Sequence, residues 1–406
     1  MPVIKTFSEV QAVLEPYIQE LPTVHQAYSL SRMLELLLAL GNPQDKLRIV
    51  HVAGTSGKTS TCYYLAAMLG QAGQKVGLTV SPHIMEVNER LQINLEPLAE
   101  PAYCAALTEF IAIVETLAVR PTYFELLIAM AYWYFAKEGV DYAVVEVGLG
   151  GLLDSTNVCS RPDKVCIITD IGLDHQAVLG DTLAAISSQK AGIIQAGNAV
   201  FCYRQAPVVL AAIEARAISK NARLTLYDFL PNPQDNLKLP SFQQRNWQLA
   251  AKVYDYIRIR DGLAELSAGA WTGTKQIYIP GRMEVVQYEG KTLILDGAHN
   301  PQKMQAFLTS VSQMYASESI AALAAFKATK DATGCLQSLT AIANRVILTQ
   351  LAAGNEIPAT LPTGNVENVT DIPAALKQLI AGDETLLLVT GSFMLVQSIK
   401  QLIATE

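Results

Sequence analysis

Long apolar runs, an excess of basic charge, paired cysteines and low-complexity tracts are all missing from this 406-residue chain, and each absence removes a class of function. The longest apolar run, Leu126 to Ala136, is too short to span a bilayer. The first residues, MPVIKTFSEV, carry Glu9 and lack the basic-then-apolar layout of a signal peptide. A cytoplasmic protein without a membrane partner is expected. A formal net charge of -7 removes any broad electrostatic grip on nucleic acid, so a bound phosphate would sit in a small local pocket. The six cysteines, Cys62, Cys104, Cys159, Cys166, Cys202 and Cys335, form no C-x-x-C pair and no zinc spacing with histidine. They read as small apolar core residues in a reducing compartment. No short internal repeat is visible.

Half of the residues are apolar, and the length suits two or three domains with ordinary cores. Short apolar runs alternate with helix-period segments, which predicts an α/β fold with largely parallel sheets. LRIVHVA, KVGLTV, YAVVEVG, KVCIITDI and AVFCYR read as strands of one sheet. Helical QAPVVLAAIEARAIS and the poorly patterned YDFLPNPQDNLKLPS lead to a helix at FQQRNWQLAAKVYDYI. WTGTKQIYIPGR reads as a linker or sheet edge, because Gly and Pro interrupt both helical and ladder hydrogen bonding. A second alternation follows: TLILDG, a helix from about Pro301, IAALAAF, a helix near Ala332 to Ala343, RVILTQ, and TLLLVTGS with a last helix. The expected division is a large N-terminal domain over 1–280 with a mainly parallel sheet, and a smaller doubly wound domain over 281–406.

The stretch HVAGTSGKTS leaves a strand and enters a helix marked by Leu65, Met68 and Leu69. Between them Gly54, Thr55, Ser56 and Gly57 can turn successive backbone N–H groups toward phosphate oxygens, and Lys58 adds a point charge. Thr59 and Ser60 offer hydroxyls to magnesium or phosphate. The turn is shorter than the common Walker pattern, since only two residues separate Gly54 from Gly57 and Val52 stands where the first glycine would. Beyond YAVVEVGLGG, Glu146 stands at a strand end, where a metal carboxylate of a nucleotide site belongs, and Gly148, Gly150 and Gly151 leave room for a ligand. Asp174 and His175 follow a third strand end, and Lys190 lies in QKAGII. A lone histidine or lysine there also fits an ordinary surface role.

Taken together and in order, LGNPQ, HVAGTSGKTS, SPHIMEVNERLQIN, PTYFE, EVGLGGLLDSTN, IGLDHQAVLGDT, QKAGII, PGRMEVV, LDGAHNP and LVTGS resemble the folylpolyglutamate synthase and dihydrofolate synthase branch of the Mur ligase superfamily. The resemblance covers nearly the whole chain and implies a large N-terminal P-loop ATPase domain over 1–280 followed by a smaller Rossmann-like C-terminal domain over 281–406. It implies an ATP- and Mg²⁺-dependent ligase, with two metal sites, that joins L-glutamate to a folate or dihydropteroate carboxylate. It further implies that Gly57, Lys58, Thr59 and Ser60 hold the β- and γ-phosphates, that Ser81, Glu146 and His175 hold magnesium, and that Lys190 is carbamylated, while Thr59, read on its own residue type, adds a hydroxyl for the metal. Lys58, His175 and Lys190 would then act in catalysis. Asn246, Arg282 and Asp296 match ATP contacts, and His299 and Ser392 match positions near the incoming glutamate. Thr122, Tyr123 and Phe124 match contacts to the pteridine substrate, with Leu30 in YSLSRMLELL a further candidate. The start of a buried helix explains Thr122, Tyr123 and Phe124 equally well.

Two departures stand out. The family's G-T-N-G-K-G-S is GTSGKTS here, which brings the loop closer to the peptidoglycan ligases of the superfamily. In the block G-G-R-L-D-A-T-N, Leu152 replaces the arginine, deleting a donor fork suited to a carboxylate or pterin. The expected chemistry passes through an acyl phosphate, and a monomer is expected. A Mur-type amino-acid ligase with another acceptor is the nearest alternative, although the residues before the loop are too few for that group's separate sugar-nucleotide domain. A P-loop ATPase without ligase chemistry is the other.

Overall fold

The computed structural model describes residues 3–18, 29–231, 239–328, 330–351 and 365–404. Residues 232–238 of YDFLPNPQDNLKLPS, and Tyr28 of YSLSRMLELL, lie outside them. Two compact units emerge: Met1–Leu230 with Arg245–Ile277, and Pro231–Gln244 with Tyr278–Glu406.

The first unit is built on β1 (Ile49–Ala53), β2 (Val76–Thr79), β3 (Gln92–Ile93), β4 (Glu96–Pro97), β5 (Tyr142–Glu146), β6 (Val165–Ile168), β7 (Ala199–Tyr203) and β8 (Arg223–Tyr227). They form one sheet in the order β4-β3-β2-β5-β1-β6-β7-β8. The five expected strands all lie in it, running parallel. Short β3 and β4 are antiparallel and close one edge, and β8 closes the other. Every residue of β1 and β5 is buried, as continuous Val-rich strands covered on both faces must be. Chain direction diverges at β1, leading to β2 on one side and to β6 on the other, so ligand-binding loops gather beyond its C-terminal end.

Apolar helices cover the sheet. The helix Tyr123–Lys137 buries Leu126, Leu127, Met130, Tyr132 and Phe135 in a core shared with the helix Glu100–Val114. Thr122 caps it: its hydroxyl accepts from the Glu125 amide while the Glu125 carboxylate accepts from the Thr122 N–H at 2.7 Å. The WTGTK part of the expected linker is instead the end of a helix, Ala268–Lys275. Ser267 caps that helix, and Trp271 packs edge-on against Trp247 and Tyr254, so two ring contacts outweigh the low helix propensity of Gly and Thr.

One buried polar chain lies inside this unit. His51 Nε2 on β1 sits 2.7 Å from Thr156 Oγ1, and Asp154 accepts from the Thr156 hydroxyl and from the Leu149 N–H. It ties β1 to the GLGGLLDSTN loop. Burial, with the Lys164 charge adding to it, holds the His51 imidazole well below its usual pKa, so the ring is neutral.

The second unit carries β9 (Glu284–Tyr288), β10 (Lys291–Leu295), β11 (Ile320–Ala324), β12 (Arg345–Leu348), β13 (Val366–Asn368) and β14 (Leu386–Thr390). Their order is β13-β12-β11-β14-β10-β9, parallel except for the antiparallel edge pair β9–β10. The helices Pro301–Met314, Ala332–Thr340, Ile372–Ile380 and Phe393–Ala404 complete a smaller doubly wound unit around Phe307, Leu336 and Leu388. All six cysteines are free thiols and buried.

Candidate active site

The turn after β1 is shaped by what presses on it. Gly57 has φ +89°, a left-handed conformation, and a Cβ there would lie 2.4 Å from Asn246 Oδ1. Asn246, in the helix Ser241–Asp261, therefore rests directly on the loop. The amides of Thr55 and Ser56 donate to the Asp170 carbonyl at 2.8 and 3.1 Å, so these two N–H groups are engaged within the protein. The Thr55 hydroxyl donates to the Gly172 carbonyl at 3.0 Å and accepts from the Gly172 amide at 3.1 Å. The first turn of the helix Lys58–Gln71 has no intrahelical acceptors for its N–H groups and supplies the anion-facing pole. Lys58 Nζ lies 3.1 Å from the Gly54 carbonyl, and Lys190 Nζ, on a residue only 5% exposed, lies 2.9 Å from the same oxygen. Two lysines thus concentrate positive charge at the loop of an acidic protein.

Sequence reading missed the brace beneath this loop. Arg245 makes a two-pronged ion pair with Asp170, at 2.8 and 2.7 Å, and its guanidinium lies 4.2 Å from the Tyr203 ring centroid. Asp170 holds the loop through its carbonyl and the neighbour of Asn246 through its carboxylate. Arg245→Met is expected to weaken nucleotide binding roughly tenfold by releasing a charged hydrogen-bonded pair. Titration with an ATP analogue checks this, and unchanged affinity would remove the bracing role.

Glu146 ends β5 and is a buried residue, 2% exposed. Thr59 Oγ1 donates to Glu146 Oε1 at 3.0 Å, and the Ser81 amide donates to Oε2 at 3.2 Å. Thr59, Ser81 and Glu146 are therefore brought together beside the loop. His175 adopts φ 52°, an uncommon backbone for a residue with a side chain, and its Nε2 lies 3.9 Å from Asp174 Oδ1 with the side chain 44% exposed. Among the described residues no group of three or more His, Cys, Asp or Glu gathers into a protein-only metal cage. A buried carboxylate with hydroxyl oxygens beside a phosphate loop fits Mg²⁺, which takes one or two carboxylates and completes its shell with water and phosphate oxygens.

On the other side of Glu146 stand aromatic rings. A Cβ at Gly148 would lie 2.4 Å from Phe124 Cζ, so only glycine lets the Phe124 ring cover this strand end. The Arg90 guanidinium lies 5.7 Å from the Tyr123 ring centroid, and Arg90 Nε donates to His83 Nδ1 at 2.9 Å. Burial, aided by the Arg90 charge, pushes the His83 pKa down to about 4. The Thr122 hydroxyl is committed to its helix cap, and Glu125 Oε2 also accepts from Arg32 at 2.6 Å. Leu30 precedes the helix Ser31–Ala39 and packs against the core. Leu152 is 36% exposed, and its amide donates to the Gln189 carbonyl at 2.8 Å.

In the second unit, adjacent β10 and β14 end at the other candidates. Asp296 accepts from the amides of Met283 at 2.9 Å and Ala298 at 2.8 Å. Burial raises its pKa, opposed by the Arg282 charge and those two amides. Met283 has φ 49°, and the guanidinium of the preceding Arg282 lies 4.5 Å from the Phe393 ring centroid. His299 Nδ1 is 2.7 Å from the Gly297 carbonyl, its Nε2 is 3.0 Å from Lys303 Nζ, and its ring meets Phe393 edge-on. The Ser392 hydroxyl accepts from the Met394 amide at 3.1 Å and tightens the start of the last helix. Arg282, Asp296, His299 and Ser392 thus converge at one sheet end, joined by Phe393 and Lys303, which the sequence reading had not singled out.

Comparison with known proteins agrees with this layout. Residues 52–246 match the Mur ligase middle domain, and residues 281–393 match the Mur ligase glutamate ligase domain. The folylpolyglutamate synthase of Lacticaseibacillus casei is 32% identical over 431 residues, covering 95% of this chain and 96% of that protein. The dihydrofolate synthase/folylpolyglutamate synthase of Bacillus subtilis is 34% identical over 331 residues, covering 74% and 76%. Among solved structures, Mycobacterium tuberculosis folylpolyglutamate synthase complexed with ADP superposes with a TM-score of 0.83 at 26% identity, covering 98% of both chains. An FPGS–AMPPCP–folate complex superposes with a TM-score of 0.82 at 29% identity, covering 98% of this chain and 99% of the other. The two Mur ligase domains, with relatives matched over most of the chain, define an ATP-dependent acid–amino-acid ligase. The chain belongs to the folylpolyglutamate synthase and dihydrofolate synthase family. No helix among its described residues is long and apolar enough to cross a membrane.

Proposed function

We propose that this ligase joins L-glutamate to a carboxylate of a folate or of dihydropteroate. A carboxylate oxygen of the acceptor attacks the γ-phosphorus of ATP, the bond to the β–γ bridging oxygen breaks, and ADP leaves. The glutamate amine then attacks the acyl carbon, phosphate departs, and an amide remains after loss of a proton. Lys58 and the helix N-terminus of Lys58–Gln71 stabilise charge on the transferring phosphoryl group. Asn246 holds the loop in register from beneath, and Arg282 and Asp296 are assigned to the nucleotide.

Magnesium held by Glu146, Thr59 and Ser81, with His175 as a further ligand, would neutralise phosphate charge. A carbamate on Lys190 would keep one N–H for the Gly54 carbonyl while exchanging a cation for an anionic oxygen pair. Tyr123 and Phe124 are assigned to the flat ring of the acceptor, and His299 and Ser392 to glutamate. The observation that carries the reading is the meeting of Glu146 with Thr59 of the phosphate loop on one side and with the Phe124-covered strand end on the other.

ADP release measured with ATP, glutamate and a panel of acceptors tests it. Release is expected only when glutamate and a reduced folate or dihydropteroate are both present. Release with another carboxylate alone would replace the acceptor and keep the ligase; release without glutamate would remove the ligase.

A further inference from the structure

We propose that Arg90 receives the acceptor's carboxylate through the outer edge of its guanidinium, with His83 as the positioning residue that aims it. This rests on the ligase reading above and adds to it the group that recognises the reacting acid.

The backbone carrying Arg90 is fixed on both sides. It closes the short turn Val87–Arg90, whose start is pinned by Glu89, with carboxylate oxygens accepting from the amides of Ile84, Met85 and Glu86 at 2.7, 2.7 and 3.1 Å. Just beyond it, the Gln92 amide group donates to the Tyr63 hydroxyl at 2.7 Å and to the Glu89 carbonyl at 2.8 Å. Glu89, the nearest acid in sequence, is thus spent on backbone N–H groups.

The side chain is held by one edge only. Arg90 Nε donates to His83 Nδ1, so this imidazole nitrogen carries the lone pair and the holding group is uncharged. Among the described residues the two η nitrogens carry no hydrogen bond and no carboxylate lies within ion-pair distance. A half-buried guanidinium is ordinarily paired with an acid. Here a neutral partner fixes its direction and leaves a planar, two-pronged donor edge, the geometry that matches a carboxylate.

Its surroundings select which acid. Glu146, tied to Thr59 of the phosphate loop, acts on the Arg90 charge. The Tyr123 ring faces the guanidinium and the neighbouring Phe124 ring covers Gly148, two residues past Glu146. The phosphate loop already has Lys58 and a helix N-terminus for the nucleotide. An arginine among aromatic rings at the edge of that site suits an aromatic acid entering beside it. The guanidinium would bind both carboxylate oxygens on entry, keep its hold on the one that does not attack, and so steady the acyl phosphate that follows.

The test uses the full chain, an ATP analogue that cannot transfer its phosphate, and any acid that supports turnover by the wild-type enzyme, compared with its carboxamide. Wild-type protein is expected to bind the acid about tenfold or more tightly than the amide, since a charged two-pronged pair is lost with the amide. Arg90→Met should bring the ratio near one and leave nucleotide affinity within about twofold, and Arg90→Lys should lower it at least about threefold. His83→Leu should lower the ratio while His83→Asn, which keeps an acceptor, should restore it. An unchanged acid-to-amide ratio in both Arg90 variants would overturn the proposal, as would equal losses of nucleotide and acid binding. If Arg90→Met fails to fold, Arg90→Lys carries the same comparison. Should no acid support turnover by the wild-type enzyme, the ligase reading fails and not the assignment of Arg90.

Discussion

Lys58→Ala is expected to lower glutamate-dependent ADP release on the order of 10³-fold, because the loop then loses the cation that we propose acts on the transferring phosphoryl group. The fold should survive. Lys58 opens a helix, alanine is the strongest helix former, and the lysine's hydrogen bond at 3.1 Å is to a loop carbonyl and not to the core. Lys58→Arg should recover little, because a broad planar fork does not replace a compact ammonium in a closed turn. Steady-state rates with far-ultraviolet circular dichroism as the folding control decide the matter. A rate within about tenfold of wild type would mean that the loop does not carry the chemistry.

Acid stability gives the second large effect, and it comes from His51. Its folded pKa lies well below the unfolded value of 6.5, so below that pH the unfolded chain binds a proton that the folded chain refuses. The stability His51 contributes is complete above pH 6.5 and falls as pH drops toward the folded pKa. Well below pH 6.5 the slope approaches about 1.4 kcal/mol per pH unit for as long as the folded ring stays neutral. Urea midpoints across this range should fall more steeply for wild-type protein than for His51→Asn, whatever the absolute offset from losing the contact to Thr156. Parallel slopes would mean that His51 takes up its proton in the folded state.

What the sequence disclosed was what repeats locally. Five buried strands, the helix after the phosphate loop and the second alternation each announce themselves by unbroken apolar runs or helical spacing. The missed strands β3, β4, β8, β9 and β13 are short or lie at sheet edges, where burial is partial and pattern weak. WTGTK was misread because its helix depends on Trp271 meeting Trp247 and Tyr254, contacts that no local window contains. The same limit hid Arg245 with Asp170, which lie 75 positions apart. Conversely, PTYFE looked equally like a substrate contact and a helix start, and the cap shows how Thr122 is used while Tyr123 and Phe124 stay near Glu146. Thr55 and Ser56 were read as phosphate cradles, yet their amides point to Asp170, a choice set by the neighbouring strand end and not by the loop's own residues.

Those links between the turn and the segment 170–172 have a mechanical consequence. With both amides of Thr55 and Ser56 on one carbonyl, and the Thr55 hydroxyl gripping Gly172 in both directions, the two loops are clasped into a single lever. His175 lies three residues past the clasp, so the backbone that carries it is tethered to the turn.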